Sequence, residues 1–312
     1  MELIRGYHNL RPCHRGCVAT IGNFDGVHLG HQAVIGQLAE KASEFRLPTV
    51  VVLFEPQPQE FFQPVEAPAR IMRLRDKLMA LRRYSVDRVV CLRFGRWLAE
   101  MEAGDFIRRI LIDGIGVRFL VVGDDFRFGR RRAGDFGLLQ RVGQENGFAV
   151  APMHTFSVDG MRVSSTRIRE ALAAGALEEA ARLLGRGFRM SGRVAHGDKR
   201  GRTIGVPTAN IHLHRKVSPV RGVYVVEVLG VEDGPVAGVA NVGTRPTVEG
   251  TRTLLEVHLL DFNRDIYGRQ VSVEFLHRLR DEQRFASFDA LRVRIGQDIA
   301  EARAWLEARR WR

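Results

Sequence analysis

The sequence predicts two structural classes in one chain: an α/β part with a parallel sheet, followed by a small antiparallel β-barrel or sandwich with a terminal helix. In the first half, apolar runs of strand length alternate with amphipathic segments, which is typical of a parallel sheet covered on both faces. After Gly185 the runs become β-rich, and only the last stretch is helical. A length of 312 residues exceeds the usual size of a single core, which favours two domains.

The elements of the first half follow in order. Strands are predicted at the apolar runs 17–19, 49–56, 88–94 and 119–126, and a helix at the amphipathic segment 74–84. Two short helices, 166–175 and 177–185, end at Gly175 and Gly185, the residue type expected at a helix C-terminus. We therefore predict one domain over residues 1–185.

In the second half the pattern of predicted elements changes from alternating strands and helices to mostly strands. Strands are predicted at 223–230, 236–243, 253–262 and 270–279, with turn residues between them, and a long helix at 288–308. Several strands followed by one helix predict a small antiparallel barrel or sandwich over residues 186–312.

The composition narrows the class of protein. The net charge of +12 invites a nucleic-acid partner, but only four of the 48 basic residues are lysines and the longest basic run is Arg130–Arg132. Such an arginine excess favours a coding bias over a binding surface, and substrates that carry phosphate also explain the positive sign. RNA binding stays as a minor alternative.

The location and the metal content can also be predicted. The N-terminus has no signal-peptide pattern, and no apolar run approaches the ~20 residues that span a bilayer, so no membrane partner is expected. Three cysteines are too few for a disulfide framework, which favours the cytoplasm. Cys13 and Cys17 with His14 lack the second ligand pair of a structural zinc site.

The stretch "IGNFDGVHLGH", residues 21–31, lies where a predicted strand meets a helix. Glycines let the backbone approach a ligand, and His28 and His31 share one face of the first helical turn, beside unpaired amides and the positive end of the helix dipole. This favours polyphosphate over metal, since no carboxylate has suitable spacing. The plain alternative is a glycine-rich turn with two surface histidines.

The string His28-Leu-Gly-His31 resembles the signature of the nucleotidylyltransferase superfamily, and "GNFDGVHLGH" is similar to the version in bacterial FAD synthetases. The stretches "LFEP" (53–56), "VGDDFRFGRRRAGD" (122–135) and "RVSSTRIREAL" (162–172) also resemble motifs of this family and occur in the same order. The resemblance implies a Rossmann-like nucleotidylyltransferase domain in which His28 and His31 are catalytic and Asp125 and Phe126 bind flavin. The implied ATP- and phosphate-binding residues are Gly22, Asn23, Phe24, Asp25, Gly26, Gly30, Arg162, Ser164, Ser165, Thr166 and Arg169.

The implied reaction is attack of a phosphate oxygen on the α-phosphorus of ATP with release of pyrophosphate. A phosphate nucleophile is already ionised at neutral pH, so positioning and charge stabilisation suffice and no base is required. The hydroxyls of 164–166 also suit ordinary helix capping, which does not exclude contact with the departing phosphates. The family often has Asn at position 125, so the role of Asp125 stays open.

The second half begins "SGRVAHGDKRGRTIGVPTANI" (191–211) and continues to "TLLEVHLLDF" (253–262). The Gly/Lys/Arg loop suits either phosphate or a plain basic hairpin, and Thr208 and Asn210 offer the hard oxygen ligands that Mg²⁺ accepts. By strand alternation Leu255 and Val257 face one way and Glu256 the other, as a solvated residue or as a base. A protonated hydroxyl substrate, unlike a phosphate, needs such a base.

The combination "PTANI … GVYVVEV … GVANVGTRPT … LLEVHLLDF" resembles riboflavin kinase, and both halves together are similar to the bacterial bifunctional riboflavin kinase/FAD synthetases. The resemblance implies riboflavin, FMN, FAD and ATP as substrates and products, with Mg²⁺. Glu256 would deprotonate riboflavin, Thr208 and Asn210 would hold Mg-ATP, and Gly197, Lys199, Gly201 and Gly205 would bind its phosphates.

Two rival functions remain. One is an adenylyl- or cytidylyltransferase for another phosphate, with the barrel as an accessory domain. The other is an RNA-binding module, although the basic surface with interleaved aromatic residues that single-strand binding requires is missing from the sequence. Oligomeric state, including a homo-oligomer, and the passage of FMN between the domains are not predicted.

Overall fold

The computed structural model describes the chain except for residues 154–155, 197–205, 214, 216, 248–249 and 311–312. The chain divides into two compact units. The first unit consists of Met1–Pro68 and Met72–Ser164, and the second of Ala69–Ile71 and Ser165–Arg312. The placement of the two activities on either side of Gly185 stays a prediction.

The first unit is built on a six-stranded sheet in the order β1-β4-β3-β2-β5-β6, with all neighbours parallel. This confirms the predicted α/β class. The strand predicted at 119–126 is too long, since β5 ends at Val122 and is followed by Gly123 and two aspartates. The strands are β1 (Glu2–Arg5), β2 (Cys17–Ile21), β3 (Thr49–Glu55), β4 (Arg88–Arg93), β5 (Val117–Val122) and β6 (Ala149–Pro152); β7 (Ser157–Val158) and β8 (Met161–Arg162) form a separate hairpin.

Helices cover both faces of this sheet. On one face Val18 of β2 packs in a buried cluster with Val34 and Leu38, and on the other Ala19 packs with the π-helical turn Ile107–Ile112. Two apolar layers explain why the central strands read as continuous apolar runs. The helices of the first unit are α1 (Leu29–Phe45), α2 (Pro58–Phe62), α3 (Leu74–Arg83), α4 (Arg96–Ala99), α5 (Ala103–Phe106) and α6 (Phe136–Asn146).

The second unit starts with α7 (Ser165–Ala174) and α8 (Leu177–Leu184), which end at Gly175 and Gly185 as predicted. Both glycines have positive φ, 76° and 71°, a conformation that other residues adopt only with strain. Residues 69–71 belong to this unit because Arg169 and Arg215 donate hydrogen bonds to their backbone carbonyls.

The rest of the second unit is a closed antiparallel barrel in the order β10-β13-β12-β11-β14-β9, which decides between barrel and sandwich. The terminal helix packs on its outside, where Ala302 is fully buried against Val223, Val225 and Val239. Among the described residues no helix combines the length and the apolarity needed to cross a membrane. The elements are β9 (Arg189–Ala195), β10 (Ala209–His212), β11 (Gly222–Leu229), β12 (Val236–Thr247), β13 (Gly250–Leu259), β14 (Gln270–Arg280) and α9 (Phe288–Arg310).

A buried carboxylate ties α9 to the barrel. Asp298 has a side chain only 3% exposed and accepts two hydrogen bonds from Arg280 of β14, at 2.8 and 2.7 Å. Arg294, one turn earlier in α9, has its Nε 3.0 Å from the same carboxylate. Removal of the carboxylate would leave Arg280 without its counter-charge in a site with little water, while Arg294 would keep its ion pair with Glu301.

We expect Asp298→Ala to destabilise the second unit by about 3–5 kcal/mol, because one partner of a buried ion pair is lost. The matched control is Asp261→Ala, which breaks an equally direct pair with Arg303 at a side chain that is 74% exposed. Solvent screens that pair, so its loss should be much smaller. Native-state hydrogen exchange of β14 and α9 amides measures both losses, and equal losses would contradict the interpretation.

Candidate active sites

The first candidate site lies where the strand order of the parallel sheet reverses. From β2 the sheet continues through β3, β4 and β1 on one side and through β5 and β6 on the other. The loops that leave β2 and β5 therefore emerge at the same edge and flank a crevice, the usual ligand position in such sheets. The predicted ATP residues Gly22–Gly26 and the predicted flavin residues Asp125 and Phe126 lie in these two loops.

The loop after β2 has an unusual backbone. Phe24 and Val27 have positive φ, 47° and 41°, and Gly26 lies between them at 88°. Non-glycine residues adopt this region only where the surroundings impose it. The imposed conformation turns the chain sharply from β2 into α1 and presents the residues that follow to the crevice.

Two buried polar side chains hold this loop. Asp25, 2% exposed, accepts a hydrogen bond of 3.0 Å from the backbone N–H of Met72, and Lys77, 1% exposed, donates to the backbone carbonyl of Asn23. The predicted ATP residue Asp25 thus supports the loop. The sequence analysis did not predict a role for Lys77. Its position on the apolar face of α3, three and four residues before the buried Ala80 and Leu81, could have indicated that this lysine is buried.

His28 and His31 form a stacked pair at the start of α1, with ring centroids 3.6 Å apart and an interplanar angle of 16°. His28 is the N-cap residue, and its Nδ1 accepts the backbone N–H of His31 at 3.3 Å. With Nδ1 as acceptor, the neutral ring of His28 carries its proton on Nε2. A Cβ at Gly30 would lie 3.2 Å from the His28 ring, so a larger residue there would require the ring to shift slightly.

The pair is electrostatically arranged to stay neutral at His31. Burial, with the neighbouring His28 and Lys77, lowers the pKa of His31 well below its ordinary value of 6.5. The Nδ1 atom of His31 is inaccessible and has no hydrogen-bond partner among the described residues. A buried polar atom without a hydrogen-bond partner carries a desolvation cost, and this cost adds to the preference of the His31 ring for its neutral form.

The loop after β5 brings polar and aromatic groups to the same edge. Asp125 is exposed and forms an ion pair of 3.5 Å with Arg162, and both side chains face solvent. Phe126 is half-buried and stacks on Phe128, with centroids 5.5 Å apart. The structure thus brings together the predicted flavin residue Asp125 and the predicted ATP residue Arg162.

An aromatic cluster at the carboxyl ends of β3 and β4 was not predicted. Phe61 and Phe62 of α2 contact Phe94, and Phe54 contacts Phe94 from the other direction, with ring centroids 5.3–5.9 Å apart. Phe62 is 62% exposed. The signal available in the sequence was the pair Phe61-Phe62 soon after "LFEP".

The residues of "RVSSTRIREAL" are divided between the units. Ser164 is the last residue of the first unit, and Ser165, the first residue of α7, belongs to the second with Thr166 and Arg169. Arg169 donates through Nε to the carbonyl of Ala69 at 2.7 Å, so it has a structural partner. The proposed contact of these residues with phosphate stays a prediction.

The second candidate site is a row of polar residues across three barrel strands. In the ladder Asn210 of β10 is directly opposite Glu256 of β13, and Glu256 is directly opposite Asn241 of β12. Opposed residues share one face of a sheet. Leu255 and Val257 are buried while Glu256 is half-buried, which confirms the predicted alternation and places this row on the outside of the barrel.

The segment before β10 lies beside Glu256. His258 Nδ1 is hydrogen-bonded to the carbonyl of Pro207 at 2.9 Å, and Thr208, half-buried, directly precedes β10. The described residues contain no group of three or more His, Cys, Asp or Glu side chains that could hold a metal. The predicted phosphate residues Gly197, Lys199, Gly201 and Gly205 lie outside the described residues.

The depressed pKa of His31 predicts a pH dependence of stability. As the pH falls through 6.5 the unfolded chain binds a proton at this residue and the folded chain does not, so protonation favours unfolding. The stabilisation is complete above 6.5 and is lost as the pH falls toward the folded-state value. Thermal unfolding should show that His31→Gln loses less stability than wild type on acidification, whereas His8→Gln, at an exposed position, behaves like wild type. Identical slopes for all three would contradict the assignment.

Known proteins match both units. Residues 10–167 match the FAD synthetase family and residues 184–306 the riboflavin kinase family. A crystal structure described as a macrolide-efflux protein from Streptococcus pneumoniae has a TM-score of 0.81 at 32% identity and covers 98% of this chain and all of its own. The name "macrolide-efflux protein" refers to the Streptococcus protein and not to this chain.

Whole-length relatives combine the two activities under one name, bifunctional riboflavin kinase/FMN adenylyltransferase. The protein from Pseudomonas fluorescens is 54% identical over 97% of both chains, and that from Escherichia coli (strain K12) has the same identity and coverage. The Haemophilus influenzae protein is 51% identical over 99% of this chain and its own full length. The chain belongs to the bifunctional riboflavin kinase/FMN adenylyltransferase family, which makes FMN from riboflavin and then FAD from FMN with ATP.

Proposed function

We propose that the histidine loop of the first unit carries the adenylyl transfer and that the polar row around Glu256 carries the phosphorylation of riboflavin. The observation that supports the first assignment most is the stacked pair of His28 and His31 at the N-terminus of α1. The domain boundary near Gly185 and the cytoplasmic location belong to this proposal. Three free cysteines, two of them buried, suit a reducing compartment.

In the adenylyl transfer, a phosphate oxygen of FMN forms a bond to the α-phosphorus of ATP, and the bond to the bridging oxygen of pyrophosphate breaks. Charge grows on the phosphates, and the donors that meet it are Nε2–H of His28 and the N-terminal amides of α1. Lys77 adds positive charge beneath the loop. The nucleophile is already an anion, so neutral histidines that donate hydrogen bonds are sufficient.

The groups beside the crevice suit FMN. Arg162, oriented by Asp125, offers a guanidinium for a phosphate, and Phe126 offers an apolar face for a flat flavin. In this proposal Asp125 orients Arg162 and has no part in the chemistry. Asn at this position would keep a hydrogen-bond acceptor but lose the charge.

In the kinase reaction, Glu256 accepts the proton of the riboflavin 5′-hydroxyl. At the same time the oxygen of that hydroxyl forms a bond to the γ-phosphorus of ATP. The bond from that phosphorus to the bridging oxygen breaks, and ADP leaves. Thr208, Asn210 and Glu256 together offer hydroxyl, amide and carboxylate oxygens, a donor set that fits Mg²⁺ held mainly by phosphates. Thr208 and Asn210 would hold the ion, which neutralises phosphate charge when bound.

We expect His28→Ala and His31→Ala each to lower FAD formation from supplied FMN by about 10²–10³-fold, the usual effect of removing one group that stabilises transition-state charge. FMN formation from riboflavin should survive in both. Incubation with riboflavin or FMN, ATP and Mg²⁺, followed by chromatography, measures both products.

The control for the histidine pair is His8→Ala, at an exposed histidine of the first unit, which should leave both activities unchanged. Equal loss of both activities in the His28 and His31 variants would mean that the pair supports the fold and is not specific to adenylyl transfer.

Glu256→Gln keeps the shape of the side chain and removes the basic carboxylate. General bases typically contribute ~10²–10⁴-fold, so riboflavin phosphorylation should fall by about that factor. Supplied FMN should still become FAD at the normal rate, because its phosphate needs no base. Given riboflavin alone, the variant should make almost no FAD, and added FMN should restore it. FMN synthesis within a few-fold of wild type would show that Glu256 is not the base.

A further inference from the structure

We propose that Arg215, a residue of the second unit, is a positioning residue for the adenylyl transfer. The proposal rests on the proposed role of the histidine loop between β2 and α1 in that reaction. Arg215 acts through the peptide group between Ile71 and Met72, whose other end supports the histidine loop at Asp25. A side chain outside the first unit thus contributes to the chemistry of that unit.

Arg215 holds a stretch of backbone that has no regular structure. The connection between α2 and α3, residues 63–73, is described throughout and contains no helix or strand. Its carbonyl groups therefore cannot rely on the regular hydrogen bonds of a helix or sheet, and side chains have to supply donors. Arg215 donates through Nη1 to the carbonyl of Arg70 at 2.5 Å and through Nη2 to the carbonyl of Ile71 at 3.2 Å.

The geometry of this contact is well defined. Arg215 is 8% exposed and Ile71 is 1% exposed, so little water competes for the hydrogen bonds. A planar guanidinium donates in fixed directions, so its bonds to two successive carbonyls fix the orientation of both. Arg169 of α7 adds a hydrogen bond of 2.7 Å to the carbonyl of Ala69. The backbone is therefore held at three consecutive residues up to the carbonyl of Ile71.

The next residue, Met72, is the point where the chain returns to the first unit. Its backbone N–H donates to the carboxylate of Asp25 at 3.0 Å. Its side chain packs against the buried apolar cluster that contains Phe24 and Val27, the two loop residues with positive φ. Met72 therefore supports the histidine loop through its backbone and through its side chain.

One peptide group carries both contacts. The C=O of Ile71 and the N–H of Met72 are parts of the same planar unit, so a group that fixes one also fixes the other. A cation, Arg215, binds one end of this unit and an anion, Asp25, binds the other end. Hydrogen bonds connected in this way polarise one another, and a charged partner strengthens each of them. Loss of the guanidinium should therefore weaken the bond between Met72 and Asp25, although both of its partners remain.

The adenylyl transfer is sensitive to such a change because it depends on positioning. The turn that Asp25 supports places His28 at the N-cap of α1, where its ring and the first amides of the helix meet the phosphates in the proposed reaction. A displacement of about 1 Å by a change far from the chemistry can cost about 10²-fold in rate. The proposed kinase reaction at Glu256 does not use this loop, so the effect should be selective.

The first test is Arg215→Met in the full chain, which keeps an unbranched side chain and removes the donors. We expect kcat for FAD formation from supplied FMN to fall by about 10–100-fold. The KM for FMN should change little, because the predicted flavin residues Asp125 and Phe126 lie in the loop after β5. Arg215→Lys keeps the charge without the planar fork and should show a smaller loss. Phosphorylation of riboflavin should stay normal, which also shows that the second unit is folded.

Two further measurements show whether Arg215 acts through Asp25. In Arg215→Met the amide hydrogen of Met72 should exchange faster than in wild type, whereas the amides of β2 should keep their rates. In a double-mutant cycle with Asp25→Ala, the double variant should form FAD no more slowly than the slower single variant, because both changes remove the same support.

The control is Arg303→Met, which removes another arginine with two hydrogen bonds, to Asp261 at an exposed position of the same unit. It should leave both activities and the exchange of Met72 unchanged. If Arg215→Met does not fold, the exchange of Met72 and the rate of FAD formation in Arg215→Lys decide. If Asp25→Ala does not fold, the exchange of Met72 in Arg215→Met decides.

The outcomes separate the two proposals. If His28→Ala and His31→Ala form FAD at the normal rate, the proposed role of the histidine loop is wrong, and the role of Arg215 falls with it. If these variants are impaired but Arg215→Met keeps the wild-type kcat, only the role of Arg215 is overturned. Equal loss of both activities in Arg215→Met, unchanged exchange of Met72, or effects that multiply in the cycle would also overturn it.

Discussion

The site in the first unit depends on one constraint, the buried polar support beneath the loop between β2 and α1. Asp25 and Lys77 are nearly inaccessible, and each forms a hydrogen bond to the backbone. Asp25 accepts from the N–H of Met72, and Lys77 donates to the carbonyl of Asn23. These contacts hold a backbone with positive φ at Phe24 and Val27. Because that turn is held, His28 reaches the N-cap position and stacks on His31, and this edge of the sheet gains the candidate site that we propose for ATP phosphates.

The two reactions have different chemical requirements, and their candidate sites differ in local structure. The adenylyl transfer begins from an ionised phosphate, and its candidate site is a helix N-terminus with a histidine of depressed pKa and no carboxylate in the first turn. The phosphorylation begins from a hydroxyl, and its candidate site centres on a carboxylate, Glu256, in a strand whose inward neighbours are buried. A rigid barrel wall suits this task because strand pairing sets which residues flank Glu256.

Much of the large arginine content is used as structural clamps. Arg280 holds the buried Asp298 between β14 and α9, Arg167 joins α7 to α8 through Glu179, and Arg169 and Arg215 hold the backbone of residues 69–71. A planar guanidinium can donate to two acceptors at once, which a lysine cannot do in a fixed geometry. The net charge of +12 is therefore not by itself evidence for a basic binding surface.

The sequence by itself determined the fold class, since fully apolar runs and their change to β-rich alternation after Gly185 reflect burial that any folded form must satisfy. It did not reveal β1, β6, β9 or β10, which are short or carry polar residues, because their burial depends on neighbours distant in the chain. It placed His28, His31 and Glu256 in their elements, because helix starts and strand alternation are local. Only the tertiary structure decided the burial of Lys77, the depressed pKa of His31 and the position of Asn241 opposite Glu256. Each depends on the pairing or packing of separate elements, which local periodicity does not encode.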